Sequence, residues 1–192
     1  MSQSIIKRHT GFTLIELMVG IAILAIISAI ALPNFNEFLI KMRVDNEIST
    51  LNRMILTARN TAVNMGQTVT LCPLAADNSC SDNWGSQLSV FIDIDDDNVF
   101  DLADGETLVK VKAKIGQIDQ LQYSQSSPIT YEATGLMSTA NGNFIFCPEN
   151  NTERNRGISI SRNGRATTTS DLDDDGIDEF SATPSASIIC VN

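Results

Sequence analysis

Two stretches of this chain carry carboxylates at a spacing that could hold a metal ion. In the first, residues 171–179, acidic side chains occupy alternate positions ahead of Gly176, which is how a calcium loop of the EF-hand type begins. Ala182 stands at the twelfth position of that loop, where a bidentate glutamate would be needed. Two interpretations therefore stay open, a calcium loop closed by another carboxylate and a solvated acidic turn. The candidate calcium ligands are Asp171, Asp173, Asp175, Asp178 and Glu179.

The second acidic stretch lies between two apolar segments near the middle of the chain. It holds six aspartates within residues 93–104, followed by Gly105. Carboxylates packed this densely repel one another unless water or a cation screens them. Because their spacing is less regular than in the first stretch, a solvated loop is the preferred interpretation and calcium binding the second. The candidate ligands are Asp93, Asp95 and Asp97.

Other arrangements typical of catalysis are missing from the sequence. It has no P-loop, nucleophile elbow, dinucleotide-binding glycine motif or pair of metal-binding histidines. The acidic residues occupy hydrophilic segments, which favours hydration or cation binding over the desolvated carboxylate pair of a glycosidase. We therefore expect a protein that is not an enzyme and needs no cofactor, with calcium as the one candidate ion.

The charge balance argues against nucleic acid as a partner. The chain has 192 residues, of which 23 are acidic and 13 basic, so its formal charge is −10. Such an acidic surface repels phosphate. Arg162 and Arg165 flank the dipeptide Asn163-Gly164 and are candidate DNA contacts, but the acidic stretch at 171–179 follows closely. A polar hairpin is the preferred interpretation of these two arginines, and DNA binding is the alternative.

The most apolar part of the chain is residues 12–32. As an α-helix, 21 residues at about 1.5 Å each span a hydrocarbon core of about 30 Å. This run is therefore predicted to be a transmembrane helix. Lys7 and Arg8 precede it, so the positive-inside rule leaves that end in the cytoplasm and the rest of the chain in the periplasm or outside the cell. A generic signal anchor is the alternative.

Glu16 is the one ionisable side chain in that run. A carboxylate at membrane depth costs roughly 2.5–3.5 kcal/mol, so the side chain needs a partner or a function. No lysine, arginine or histidine lies within the run. If the chain is cut after Gly11, the new amino group of Phe12 can neutralise Glu16 of a neighbouring copy during assembly.

The sequence GFTLIE at residues 11–16 resembles the processing site of type IV prepilins and type II secretion pseudopilins. The resemblance implies that a prepilin peptidase cleaves after Gly11 and N-methylates Phe12. It also implies that Glu16 supports recruitment into a filament. Pro33 resembles the proline that bends or breaks the pilin helix near its exit from the membrane.

After Pro33 the pattern is that of an amphipathic helix with one apolar stripe, which ends at Gly66. From residue 67 alternating and β-branched segments predict strands near residues 68–72, 88–92, 107–111, 143–147, 157–161 and 187–191. Asn163-Gly164 predicts a two-residue hairpin of type I′, with positive φ at both residues. The apolar stripe consists of Val44, Ile48, Leu51, Ile55, Ala58, Ala62 and Met65.

The expected fold is α+β, a long N-terminal helix packed on an antiparallel β-sheet domain, as the resemblance to pilins implies. The segments are a leader at residues 1–11, a transmembrane half-helix at 12–32, an amphipathic half-helix at 33–66 and a globular domain at 67–192. In that domain, which is expected to lie in an oxidising compartment, four cysteines allow three pairings. Their spacing does not fit a zinc site. The favoured disulfides are Cys72–Cys80 and Cys147–Cys190.

Further residues resemble the GspH/FimT/FimU group of minor pilins and pseudopilins, up to about residue 112. The resemblance implies a minor pilin that takes part in starting and assembling a type IV pilus, in a complex at its tip. The alternatives are a minor pseudopilin of a type II secretion system and a FimT-like pilin for DNA uptake. The implied partners are other minor and major pilins, which bind through the N-terminal helix, the prepilin peptidase, the inner membrane and the assembly platform. The matching residues are Ala58, Arg59, Ala62, Cys80, Trp84, Gly85 and the segments 69–72, 90–93 and 106–108.

Overall fold

The computed structural model describes residues 12–148, 154–174 and 177–181, together with residues 188 and 190. The chain divides into two compact units, Met1–Leu39 and Ile40–Asn192. The described elements are one helix, α1 (Leu14–Met65), and the strands β1 (Val69–Pro73), β2 (Leu88–Ile92), β3 (Thr107–Lys112), β4 (Gln120–Tyr123), β5 (Ile129–Tyr131), β6 (Gly142–Cys147), β7 (Arg156–Ile160) and β8 (Ala166–Thr168). This is the α+β architecture that the sequence predicts.

Helix α1 ends where the sequence predicts. Gly66 has a φ of 65°, in the left-handed region, and its N–H donates to the Ala62 carbonyl oxygen at 2.9 Å. The apolar stripe is buried from Val44 to Ala62, but Met65 is 61% exposed because it is the last helical residue. Met54, which the stripe omitted, is fully buried instead.

The expected break at Pro33 is absent, since α1 continues across this residue. A proline inside a helix removes one N–H donor and favours a bend, yet the turns on either side can still form their own hydrogen bonds. A bend at Pro33 stays a prediction.

The first sheet has the strand order β3-β2-β1-β5, and all its neighbours are antiparallel. Every residue of β1 and β2 is buried. One face of these strands, which includes Leu71 and Val90, joins the apolar stripe of α1 in the main core. The opposite face carries Thr70 and Phe91, and the ring of Phe91 lies 5.6 Å from that of Phe100 in the loop that follows β2. This outer face is therefore covered by loop residues.

The second sheet has the antiparallel order β4-β6-β7-β8 and completes the same core. Trp84 is buried against two of its aromatic side chains, with ring centroids 4.8 Å from Tyr123 and 5.0 Å from Phe144. Strand β4 was not predicted, and neither was β5 of the first sheet. The C-terminal strand expected over 187–191 falls mostly outside the described residues, although Ile188 is buried.

The hairpin between β7 and β8 exists, but the predicted type I′ turn is wrong. Of its two central residues only Gly164 has a positive φ, at 77°. The Gly164 N–H donates to the Ser161 carbonyl oxygen at 2.8 Å, as in a type I turn followed by a left-handed glycine. Asn163 Oδ1 accepts the N–H of Arg165 at 3.1 Å, which stabilises this alternative geometry.

Candidate functional site

The first turn of α1 carries the described part of the predicted processing motif. Thr13 Oγ1 accepts the N–H of Glu16 at 3.3 Å, so the threonine side chain caps the helix. A threonine cap with a glutamate three residues later has the spacing of a capping box. Sequence reasoning did not identify this cap. Phe12 is exposed, and Gly11 lies outside the described residues.

Large apolar side chains are exposed along the start of α1, at positions too close together to share one face. An apolar surface of this extent marks an interaction site. The exposed residues are Leu14, Ile15, Leu17, Met18, Val19, Ile21, Ile23, Leu24, Ile26, Ile27 and Leu32. None of the helices in the described part of the chain combines the length and the apolar character required for a membrane crossing.

Among the described residues, three ion pairs join polar side chains of α1 to the β-rich part of the second unit. The Lys112 ammonium lies 2.6 Å from Glu47 Oε2, but the angles do not fit a hydrogen bond. This contact is therefore mainly electrostatic. These charged side chains of the helix are therefore paired with opposite charges of the protein. The pairs are Arg43–Asp119 at 3.2 Å, Glu47–Lys112 and Asp45–Arg156.

Asp178, a predicted calcium ligand, forms an ion pair with Arg156. Its Oδ2 accepts hydrogen bonds from Arg156 Nε and from Thr169 Oγ1, both at 2.9 Å. Arg156 also pairs with Asp45 on α1. The structure thus uses Asp178 and Arg156 to connect β7, the residues after β8 and the helix.

The other described ligands of the 171–179 stretch do come together. Carboxylate oxygens of Asp171, Asp173 and Glu179 lie within 4.8 Å of one another. Glu179 is buried, and its Oε2 accepts the Leu172 N–H at 2.8 Å, whereas its Oε1 has no hydrogen-bond partner among the described residues. Asp175 lies outside the described residues.

The 93–106 stretch forms a second cluster with a different membership from the predicted one. Oxygens of Asp93, Asp95 and Glu106 lie within 4.8 Å of one another. Asp97 is not part of this cluster, and its Oδ1 accepts the N–H of Val99 at 2.7 Å. Glu106 was missed by sequence reasoning. Pairing of the predicted strands would have indicated it, because Ile92 and Thr107 are partners across the β2–β3 ladder and their outer neighbours are Asp93 and Glu106.

Asp93 is fully buried, with 0% exposure. Its Oδ2 accepts a hydrogen bond from Thr70 Oγ1 at 2.8 Å, and its Oδ1 has no partner of hydrogen-bond geometry in the described structure. Burial raises the pKa of this carboxyl above its usual range, although the Thr70 hydroxyl and the Asn98 N–H partly offset that effect. The ionised form is therefore less well stabilised than that of a carboxyl in water.

The cysteines form the pairs that the sequence analysis favoured. The Cα atoms are 5.5 Å apart in Cys72–Cys80 and 6.0 Å apart in Cys147–Cys190. All four cysteines of the chain are therefore in disulfides.

Arg162 and Arg165 are both exposed on the β7–β8 hairpin. The hairpin is fastened by Arg59 of α1, whose Nη2 donates to the Asn163 carbonyl oxygen at 3.1 Å. A Cβ added to Gly164 would lie only 2.2 Å from the Gly135 carbonyl oxygen, so the hairpin packs closely on the turn that follows β5. Sequence reasoning did not assign this role to Arg59.

Comparison with solved structures finds the same arrangement of helix and sheets in a pilin. The crystal structure of the type IV minor pilin FimU of Pseudomonas aeruginosa strain PAO1 matches with a TM-score of 0.51 and 19% identity, over 65% of this chain and 90% of FimU. At this identity the likeness shows the fold alone. The fold is therefore that of a pilin.

The family follows from the sequence. The family model described as type II transport protein GspH matches residues 47–164, and the model of the prokaryotic N-terminal methylation motif matches residues 6–32. The chain belongs to the GspH family.

Two relatives match a part of this chain. A fimbrial protein of Pseudomonas aeruginosa is 35% identical over 63 residues, which are 33% of this chain and 40% of that protein. The type IV major pilin protein PilA of Myxococcus xanthus strain DK1622 is 44% identical over 52 residues, which are 27% of this chain and 23% of PilA. The match thus spans 40% of the first relative and less of the second. These descriptions are of pilins and fimbrial proteins, not of enzymes.

Proposed function

We propose that this chain is a minor pilin that takes part in starting and assembling a type IV pilus, within a complex at its tip. The observation that carries the proposal is the combination of a methylation motif at residues 6–32 with a GspH-type domain at 47–164 in one chain. The two regions share the helix α1. The protein acts by assembly and not by turnover.

The proposed maturation begins with cleavage after Gly11 by a prepilin peptidase and methylation of the new N-terminus at Phe12. Residues 12–32 then anchor the subunit in the inner membrane, with the globular domain in the periplasm. The exposed apolar side chains at the start of α1 support this, because they need either lipid or neighbouring pilin helices as an environment. On the assembly platform the subunit leaves the bilayer and joins other minor and major pilins through this helix.

The intact mass and the N-terminal peptide of the protein from its own host test the maturation step. We expect a chain that starts at N-methylated Phe12. A chain that starts at Met1, or one cleaved after Ala31, would exclude prepilin processing. The filament proposal would then have to be abandoned.

A minor pseudopilin of a type II secretion system is the second candidate, and the description of the matching family as a type II transport protein favours it. Deletion of the gene, with complementation, separates the two functions. A pilus subunit predicts loss of surface pili and twitching motility with normal exoprotein release. A pseudopilin predicts the opposite pattern, loss of exoprotein release with normal pili. That result would overturn the assignment to a pilus, but it would still agree with a subunit that assembles into a filament.

DNA uptake is the third candidate, and the exposure of Arg162 and Arg165 on one hairpin is the observation in its favour. Charge reversal of both arginines to glutamate should reduce DNA binding and transformation if this hairpin contacts phosphate. Arg53→Glu, at an exposed position of α1, is the matched control. If DNA binding and uptake survive the hairpin change, this function is excluded for these residues.

A further inference from the structure

We propose that the acidic β2–β3 loop, residues 93–106, binds a calcium ion through Asp93, Asp95 and Glu106. Oxygens of these three side chains lie within 4.8 Å of one another, which is close enough for one cation to contact all three. The inference concerns this loop alone and goes beyond the role of the chain in a filament.

The fold itself brings the two ends of the loop together. Ile92 and Thr107 are antiparallel partners at the end of the β2–β3 ladder, so Asp93 leaves the sheet beside the point where Glu106 enters it. Glu106 fixes the loop further, because its Oε1 accepts the N–H of Ile94 and its Oε2 that of Asp101, each at 2.9 Å. The ligands are therefore positioned by the sheet and by backbone hydrogen bonds.

A buried carboxylate oxygen without a partner distinguishes this cluster from an ordinary acidic surface loop. Asp93 has no exposed surface. Thr70 donates to Oδ2 and the Asn98 N–H also favours the charged form, but no donor in the described part of the chain has hydrogen-bond geometry to Oδ1. Leaving a buried charged oxygen unsatisfied is costly, and folded proteins rarely retain one without water, an ion or a proton. A cation held by the Asp93 carboxylate together with Asp95 and Glu106 would compensate this buried charge.

The ligand chemistry selects a hard cation, since every candidate donor is oxygen. Calcium accepts six to eight oxygens in irregular geometry, whereas magnesium requires a near-ideal octahedron. Glu106 can still ligate although both its oxygens accept N–H groups, because each carboxylate oxygen has a second lone pair. Asp95 is exposed, so the ion can enter from solvent and keep water on that side.

Calcium titration of the full-length protein in detergent, stripped beforehand with a chelator, tests the proposal by calorimetry. The protein carries Asp173→Asn throughout, so that the 171–179 cluster does not contribute heat. Asp95→Asn removes one exposed ligand, and Asp104→Asn removes the same charge from the same loop outside the cluster. We expect the Asp104→Asn protein to bind one calcium ion as the parent does, and the Asp95→Asn protein to bind at least tenfold more weakly.

A second measurement distinguishes calcium from a proton on Asp93. Calcium at about a hundred times its Kd should raise the unfolding midpoint of the parent by about 5–10 °C relative to chelator. In Asp93→Asn this difference should disappear, whereas an equal concentration of magnesium should give a smaller shift in the parent. The proposal is overturned if the parent binds no calcium up to about 1 mM, or if Asp95→Asn and Asp104→Asn bind it equally. It is also overturned if Asp93→Asn keeps the full calcium-dependent shift, because Asp93 is then satisfied by a proton.

Discussion

Arg59 Nε donates a hydrogen bond to the Gly135 carbonyl oxygen, 3.1 Å away and 76 residues further along the chain. The same guanidinium reaches the Asn163 carbonyl oxygen through Nη2. One side chain of α1 thus holds both the turn after β5 and the β7–β8 hairpin. Because the two acceptors are separate carbonyl groups, the planar fork of arginine matters as well as its charge.

Arg59→Lys keeps the charge but loses the fork, so at least one of the two carbonyl groups should lose its partner. We expect a loss of about 1–2 kcal/mol in the free energy of unfolding, measured by urea denaturation of the full-length protein in detergent. Arg53→Lys is the control, because Arg53 is exposed on the same helix and its guanidinium donates to the Thr50 hydroxyl one turn away. Equal stability of the two variants would show that the paired acceptors contribute nothing beyond charge.

Gly164→Ala should destabilise the protein more than Gly66→Ala, although both glycines have a positive φ. The left-handed conformation costs an alanine roughly 1–2 kcal/mol at either site. A Cβ at Gly66 meets nothing within 4 Å, but at Gly164 it would lie 2.2 Å from the Gly135 carbonyl oxygen. Chemical denaturation of both variants therefore measures the free-energy cost of the close contact at Gly164. Similar losses in the free energy of unfolding would mean that the hairpin can move away from Gly135 at little cost.

Tyr123→Phe should flatten the loss of stability at alkaline pH. Burial raises the pKa of Tyr123 to about 12, whereas the unfolded chain releases this proton near 10. Between those values the unfolded state binds fewer protons, so stability falls as pH rises, by at most about 1.4 kcal/mol per pH unit and by less because the ring is partly exposed. Tyr131, whose pKa burial also raises, should preserve part of the decline.

Thermal unfolding across pH 9–12 checks this for wild type and Tyr123→Phe. Near neutral pH the change should have little effect, since the buried Tyr123 Oη has no hydrogen-bond partner among the described residues. An unchanged alkaline slope would contradict the assigned titration.

Glu16 has two candidate roles that one pair of variants separates. Glutamine can replace glutamate in a capping box but carries no charge, whereas alanine can neither accept the capping hydrogen bond nor carry a charge. If the charge recruits the subunit, Glu16→Gln and Glu16→Ala should both be processed at Gly11 yet absent from sheared filaments, as judged by immunoblotting. Normal incorporation of Glu16→Gln alone would assign Glu16 to helix capping.

Periodic patterns made the main elements predictable from the sequence. The stripe from Val44 to Ala62 and the alternation around Leu71, Val90 and Ile158 depend on local spacing, which a sequence displays directly. Strand β4 has only four residues and β5 three, too few to establish a period. Short strands of this kind become stable through their neighbours and are hard to see in advance.

The contacts that define the candidate cation site depend on strand pairing and not on spacing alone. Asp93 and Glu106 are 13 positions apart (106 − 93), and they meet because β2 pairs with β3 in one register. The candidate ligands named from the sequence included Asp97 and not Glu106, since they were taken from one continuous acidic stretch. Arg59 was matched to the family pattern, but its acceptors lie in turns that only the folded chain brings near.

The pairing of every cysteine makes this protein convenient to follow in a living cell. A single Leu102→Cys change would introduce the one reduced thiol of the folded chain. The side chain at this position is 74% exposed and lies in the loop between the paired strands β2 and β3. A maleimide dye could then label each subunit at one defined position without touching α1. Fluorescence microscopy would report when the subunit reaches the cell surface and whether it stays at one end of a growing fibre.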